Sequence, residues 1–169
     1  TGHEDPMKKD SVVDYSKIGS SEGTKVMLMG VGQLEKVTQM MIAGGAALDT
    51  PVALIRWATT GSQQTLVGEL GNIASKSKKV GFKAPAVAIF GQVVKLRETL
   101  NWFESRPLFG KKIIVTRTRS QAGELSAHLR CLGADVDEMP TIRIEPPENI
   151  KEFAQLVQDS HKYSWIIFT

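Results

Sequence analysis

Cysteine occurs once in these 169 residues, at Cys131, so no internal disulfide can form. Cys131 stands in H-L-R-C-L-G, on what reads as the apolar stripe of a helix, and this points to a buried, inert thiol rather than a nucleophile. Histidine is almost as scarce. His3, His128 and His161 are scattered and show no metal-ligand spacing, and His128 falls on the same helical stripe, where a structural role is favoured. No run approaches the ~20 apolar residues of a membrane span, and no signal peptide is visible. The excess of positive charge is small, 21 basic against 18 acidic side chains for a net +3, too slight to argue for nucleic acid. No carboxylate pair stands out for acid–base work. No G-x-G-x-x-G opens a helix after a strand, and there is no internal repeat.

What is present is ordinary core material. Apolar residues make up 41% of the chain, enough to exclude wholesale disorder. Residues 1–24 are polar and punctuated, and read as loop with one short helical turn. Strands are expected at 25–29, 51–57, 63–70 and 84–90, with Pro51 at a first position that needs no ladder donor. Between them, residues 32–43 carry Leu34, Val37, Met40 and Met41 at helical spacing and are stopped by Gly44-Gly45. Residues 72–79 form a basic amphipathic helix, and residues 93–100 a short one. Strand beside strand in this first part suggests a mixed sheet. A junction falls near Trp102, Phe103, Pro107 and Gly110. Beyond it the order is strand (112–116), helix (120–132, with Leu125, His128, Leu129 and Leu132 on one stripe), strand (134–139), helix (149–160), strand (164–168). Such alternation predicts a parallel sheet with right-handed crossovers. Both ends read as cut: the chain opens without methionine and closes inside an apparent buried strand.

Two short segments invite a ligand. Gly30-Val31-Gly32 follows a strand and precedes a helix, where backbone amides can meet an anion, although an ordinary tight connection is the favoured reading. Thr116-Arg117-Thr118-Arg119-Ser120 leaves the carboxyl end of the first strand after the junction, the edge at which open parallel sheets hold ligands. Its two arginines and free helix-start amides suit carboxylates. A solvated loop capped by Ser120 explains the same residues equally well.

In order along the chain, T-G-H-E-D-P, V-M-L-M-G-V-G-Q-L, D-T-P-V-A-L-I-R-W-A-T-T-G-S-Q-Q-T, P-A-V-A-I-F-G-Q-V-V-K-L-R and N-W-F-E resemble the C-terminal half of a uroporphyrinogen-III C-methyltransferase. P-L-F-G-K-K-I-I-V-T-R-T-R-S-Q-A, L-G-A-D-V, M-P-T-I-R-I-E-P-P and W-I-I-F-T are similar to the start of a uroporphyrinogen-III synthase. The resemblance implies an α/β chain: the mixed-sheet C-terminal domain of a tetrapyrrole methylase in residues 1–105, then the beginning of a parallel-sheet, flavodoxin-like synthase domain in residues 106–169. It implies a bifunctional enzyme that methylates uroporphyrinogen III to precorrin-2 with S-adenosyl-L-methionine and cyclises hydroxymethylbilane to uroporphyrinogen III. Sirohaem or cobalamin is the end product, the location cytoplasmic, and the assembly a homodimer through the methyltransferase part, with neither nucleic acid nor membrane as partner. The family's glycine-rich cofactor loop and acid/base residues would precede Thr1, so the piece alone is expected to be inactive. Met29 and Ala58 match cofactor-binding positions, Ala58 through backbone groups to the adenine. Leu28 stands where the family usually has an aromatic, and A-T-T stands where some members have N-G-T. Thr1-Gly2-His3 borders the tetrapyrrole side. Thr116, Arg117 and Ser120 lie at the matching synthase strand end as candidates for substrate carboxylates. Two alternatives stay open: a non-catalytic dimerisation or binding module built on residues 25–100, and a flavodoxin-like nucleotide binder in residues 111–169, against which stands the lack of glycine in the loop after 116.

Overall fold

The computed structural model describes residues 2–8, 13–143, 145–146 and 148–167, and of residues 119–121 the backbone alone. After the short helix α1 (Tyr15–Ser20), whose Asp14 side chain caps the Lys17 amide at 3.1 Å, come β1 (Lys25–Leu28), α2 (Leu34–Ala43) and β2 (Pro51–Arg56). The hairpin partner β3 (Gln64–Glu69), α3 (Ile73–Lys79), β4 (Ala86–Phe90) and α4 (Arg97–Leu100) complete the first unit. The second holds β5 (Lys112–Val115), α5 (Arg119–Cys131), β6 (Asp135–Glu138) and α6 (Ile150–Gln158).

The first four strands form one sheet in the order β1-β4-β2-β3, and β5 and β6 form a separate parallel pair. The mixture of strand directions expected for the first unit is met only across the whole chain. Within the four-stranded sheet every pairing is antiparallel. The reason lies in the connections. β1 and β2 are joined through α2 and point the same way, but β4 sits between them. β3 and β4 are joined through α3 and point the same way, with β2 between. Each crossover therefore links strands one place apart, and every neighbour is antiparallel.

Strand alternation divides the side chains between two faces. Met27, Ala88 and Leu54 share one row, and with Val52 and Phe90 they are sealed beneath α2 and α3, Ile73 of α3 joining the same core. The opposite face carries the rows Val26–Ile89–Ala53–Val67 and Leu28–Val87–Ile55–Thr65. It is covered only in part, and Val26, Leu28 and Val67 remain exposed.

In the second unit, α5 packs on its sheet through Ala122, Ser126 and Leu129, with Val115, Ala134 and Val136 beneath. This corrects the stripe expected from sequence. Leu125 and His128 face solvent, and Cys131 is exposed rather than buried. Small residues let the helix axis approach the two-stranded sheet closely, so Ala122 and Ser126 with Leu129, and not Leu125, mark the buried side. The helix begins at Arg119 with Thr118 as its N-cap, so Ser120 is not the cap. The strand expected at 164–168 is absent over residues 164–167; Trp165 and Ile167 are more than 80% exposed. An apolar run becomes a strand only with a ladder partner beside it, and among the described residues β5 and β6 pair only with each other. Phe168 lies outside the described residues.

The junction is a packed knot. The Arg106 guanidinium lies 4.6 Å from the Trp102 ring and 4.8 Å from the Phe103 ring, and Phe103 meets Phe109 edge-on at 6.0 Å. The β2–β3 turn docks beside it. Gly110 N–H donates to the Gly61 carbonyl at 3.2 Å, and Ser62 Oγ donates to Asp135 Oδ2 at 2.5 Å. A Cβ on Gly61 would lie 2.2 Å from the Asp135 nitrogen, so only glycine fits there.

A second close approach yields a test. Gly19 is buried in α1, and a Cβ there would lie 2.3 Å from the Met41 carbonyl oxygen of α2. Helix propensity favours alanine over glycine by about 1 kcal/mol. The clash with a backbone atom reverses the sign, and Gly19→Ala is expected to destabilise by about 1–3 kcal/mol in urea unfolding.

Candidate functional site

Leu28 at the end of β1 and Ile55 near the end of β2 both register on Val87 of β4. The carboxyl ends of β1 and β2 thus reach the same sheet edge, two strand spacings apart, or roughly 10 Å. The chain leaves that edge in unusual backbone. Met29 (φ 58°), Trp57 (φ 50°) and Thr59 (φ 63°) are all left-handed without being glycine. Such residues cost of order 1–3 kcal/mol each and persist only where their surroundings hold them. Gly2 N–H donates to the Leu28 carbonyl at 2.7 Å, and a Cβ on Gly2 would lie 2.8 Å from the Gly30 Cα, so the amino-terminal segment packs on the Met29 turn. On the other turn, Thr60 Oγ1 donates to the Trp57 carbonyl at 2.8 Å, and the Arg56 guanidinium stacks 3.7 Å above the Trp57 ring. Met29 and Ala58, the two residues expected at a cofactor, are both exposed here. Gly30 has a packing reason of its own: a Cβ there would lie 2.3 Å from the Met27 sulfur, which supports the tight-connection reading of Gly30-Val31-Gly32.

Beside Ala58 the outer face of the sheet opens into a trough of about 430 Å³. Its walls include Ala53, Ile55 and Ile89 from the sheet and Val93, Leu100 and Trp102 from the segment that crosses it. Behind three of its lining residues, Gln63, Thr65 and Arg97, sits Glu104. Its carboxylate accepts from Thr65 Oγ1 at 2.6 Å and from Gln63 Nε2 at 2.9 Å, and it pairs with Arg97. Gln63 Oε1 in turn accepts from the Thr59 N–H at 2.8 Å. Burial by itself would raise the Glu104 carboxyl; the hydrogen bonds from Arg97, Thr65 and Gln63 outweigh it and hold the group at about 2. N-W-F-E carries part of the resemblance, but the sequence alone gives Glu104 no role. Its partners Thr65 and Gln63 lie 39 and 41 positions away, beyond any spacing rule.

The second candidate edge lies elsewhere. Thr116 and Arg117 are exposed just past the carboxyl end of β5. Met139 N–H donates to the Val115 carbonyl at 2.9 Å and continues the parallel edge there. The side chain of Ser120 lies outside the described residues. The β2–β3 turn contacts Asp135, at the amino end of β6, which registers with Lys112 at the amino end of β5. The Met29–Ala58 edge and the Thr116–Arg117 edge are therefore not brought together, because the length of β5, roughly 13 Å, separates Thr116 from the docked turn. Among the described residues no helix is long and apolar enough to cross a membrane, and no cluster of three metal-ligating side chains occurs.

No protein-family model matches the chain. Two curated relatives align with most of it. The porphyrin biosynthesis protein HemD of Ruminiclostridium josui is 34% identical over 158 residues, 93% of this chain and 31% of that protein. The uroporphyrinogen-III C-methyltransferase of Bacillus subtilis is 34% identical over 145 residues, 86% of this chain and 30% of that protein. Its relatives thus include uroporphyrinogen-III C-methyltransferases. The chain spans about three tenths of the length of these two relatives. Others align over only 100 to 106 residues. Among solved structures, the uroporphyrin-III C-methyltransferase of Thermus thermophilus complexed with S-adenyl homocysteine matches 50% of this chain and 37% of its own, at 26% identity and a TM-score of 0.44.

The Glu104 cluster gives a pH signature. A carboxyl whose pKa falls on folding adds stability above its unfolded value and loses that contribution as pH drops through the folded one. Glu104 falls from 4.5 to about 2. Wild type is expected to exceed Glu104→Gln by about 3 kcal/mol at neutral pH. Urea unfolding in acid should show that margin shrinking progressively below the unfolded value and vanishing near the folded one.

Proposed function

We propose that residues 1–105 are the C-terminal half of an S-adenosyl-L-methionine-dependent uroporphyrinogen-III C-methyltransferase, and that residues 106–169 open a uroporphyrinogen-III synthase domain. The observation that carries the first part is the shared edge: Met29 and Ala58, matched to cofactor positions by resemblance, follow strand ends on the same sheet edge, two strand spacings apart, in exposed turns that hold left-handed residues. The separate parallel pair of strands beyond the junction supports a second unit.

The donor set fits the cofactor. Met29 and Ala58 are exposed on their turns, and an apolar trough lies beside Ala58 for an aromatic base. S-adenosyl-L-methionine supplies a methyl group activated on a sulfonium sulfur. In this reading Met29 and Ala58 hold the adenosyl ligand through backbone groups, and the turns fix its direction relative to the pyrrole carbon of uroporphyrinogen III that is to be methylated. The described residues bring no acid–base pair to this edge, so the chain by itself binds without turning over. Thr116 and Arg117, joined by Ser120, receive carboxylates of hydroxymethylbilane at the parallel edge. The product, precorrin-2, feeds sirohaem or cobalamin formation in the cytoplasm.

A homodimer through the first unit belongs to the same proposal, and the exposed Val26, Leu28 and Val67 also favour the bare dimerisation-module reading. Calorimetry separates the two. S-adenosylhomocysteine is expected to bind the chain with a sub-millimolar Kd, and Ala58→Trp, at an exposed site that leaves folding intact, to raise that Kd at least about tenfold by blocking the edge. No heat at millimolar ligand would leave only the dimerisation module. Measurable methylation of uroporphyrinogen III by the chain alone would contradict the absence of turnover.

A further inference from the structure

We propose that Glu104 is a positioning residue for the adenosyl ligand, acting through Gln63 to hold the turn that carries Ala58. The inference rests on the cofactor reading given above.

The geometry is a relay of three groups. Glu104 meets Gln63, and Gln63 meets the backbone N–H of Thr59, the residue directly after Ala58. The direction of the relay is set by charge. An ionised carboxylate only accepts hydrogen bonds, so Gln63 must present Nε2 to it. That leaves Oε1 for the Thr59 amide. Thr65 shares the Oε1 oxygen with Gln63 and Arg97 holds Oε2, so both oxygens are anchored and the carboxylate is kept facing Gln63. The Glu104 side chain is only 16% exposed, so water competes weakly and the hydrogen bonds strengthen one another. Thr59, Gln63, Thr65 and Arg97 all line the same trough as Ala58. Thr59 is left-handed, a conformation a threonine does not adopt unaided, and the relay supplies a restraint on it from outside the turn. Glutamine at position 104 keeps the shape but removes the polarity: its amide can donate as well as accept, and Gln63 is then free to turn its oxygen away from Thr59.

The test uses the full chain, with calorimetric titration of S-adenosylhomocysteine and amide hydrogen exchange at Thr59. Glu104→Gln and Gln63→Leu are each expected to raise the Kd about tenfold through lost preorganisation and to speed exchange at Thr59 by a similar factor, with the β2 and β4 amides unchanged. The double variant should bind no more weakly than either single one, because both cut the same relay. A purely structural role would give additive losses and loosen the strands as well. Should Glu104→Gln fail to fold, Gln63→Leu decides alone, since it leaves the Arg97–Glu104 pair intact. Wild-type affinity in Gln63→Leu, or unchanged Thr59 exchange in both variants, overturns the proposal while the cofactor reading stands. Absence of binding by the wild-type chain overturns the cofactor reading, and this inference with it.

Discussion

The position of β4 between β1 and β2 is the constraint on which the rest of the molecule depends. Two crossover connections, each with its helix on the same face, place like-directed strands one apart and leave a gap that an antiparallel strand must fill. Filling it does two things at once. It buries the Met27, Ala88 and Leu54 row under the helices as a single core. It also aligns the carboxyl ends of β1 and β2 on Val87, so Met29 and Ala58 reach one edge although 29 positions separate them in the chain. The fold thus delivers the pair of turns as a by-product of closing its core, and no dedicated scaffold is needed to bring them together.

The turn after β2 carries more than its share of the architecture. Trp57 and Thr59 are held left-handed, Gln63 ties Thr59 to Glu104, and Gly61 presses on the backbone of the second unit. One short segment therefore connects the candidate cofactor edge, the N-W-F-E stretch and the parallel pair of strands. Anything that displaces the second unit from Gly61 acts on the same backbone that flanks Ala58. The Thr116–Arg117 edge, by contrast, looks away from that contact and is geometrically independent of it.

Much of this was legible in the sequence. The six strands among the described residues and the helices α2, α3, α5 and α6 fall where hydrophobic period and turn residues place them, because those signals are local. What escaped depended on partners. The uniform antiparallel pairing of the first sheet follows from which strand fills a gap, and no window of sequence contains that. The buried side of α5 was misread because leucines outweigh Ala122 and Ser126 in any hydrophobic count, while close packing selects the small residues. The run ending in Trp165-Ile166-Ile167 has strand composition but, among the described residues, no strand to pair with. In the site, Met29, Ala58, Thr116 and Arg117 were named by resemblance and sit at strand ends as expected. The Glu104–Gln63–Thr59 relay was invisible because its members meet only in three dimensions.

Nitrogen-resolved NMR titration with S-adenosylhomocysteine tests the central claim most directly, since it reports each backbone amide separately. The shared-edge account predicts shifts confined to Met29, Gly30, residues 57–60 and the Gln63 side chain, leaving residues 116–118 and the helices α2 and α3 unmoved. Shifts centred on residues 116–118, or a response at one of the two turns without the other, would contradict it.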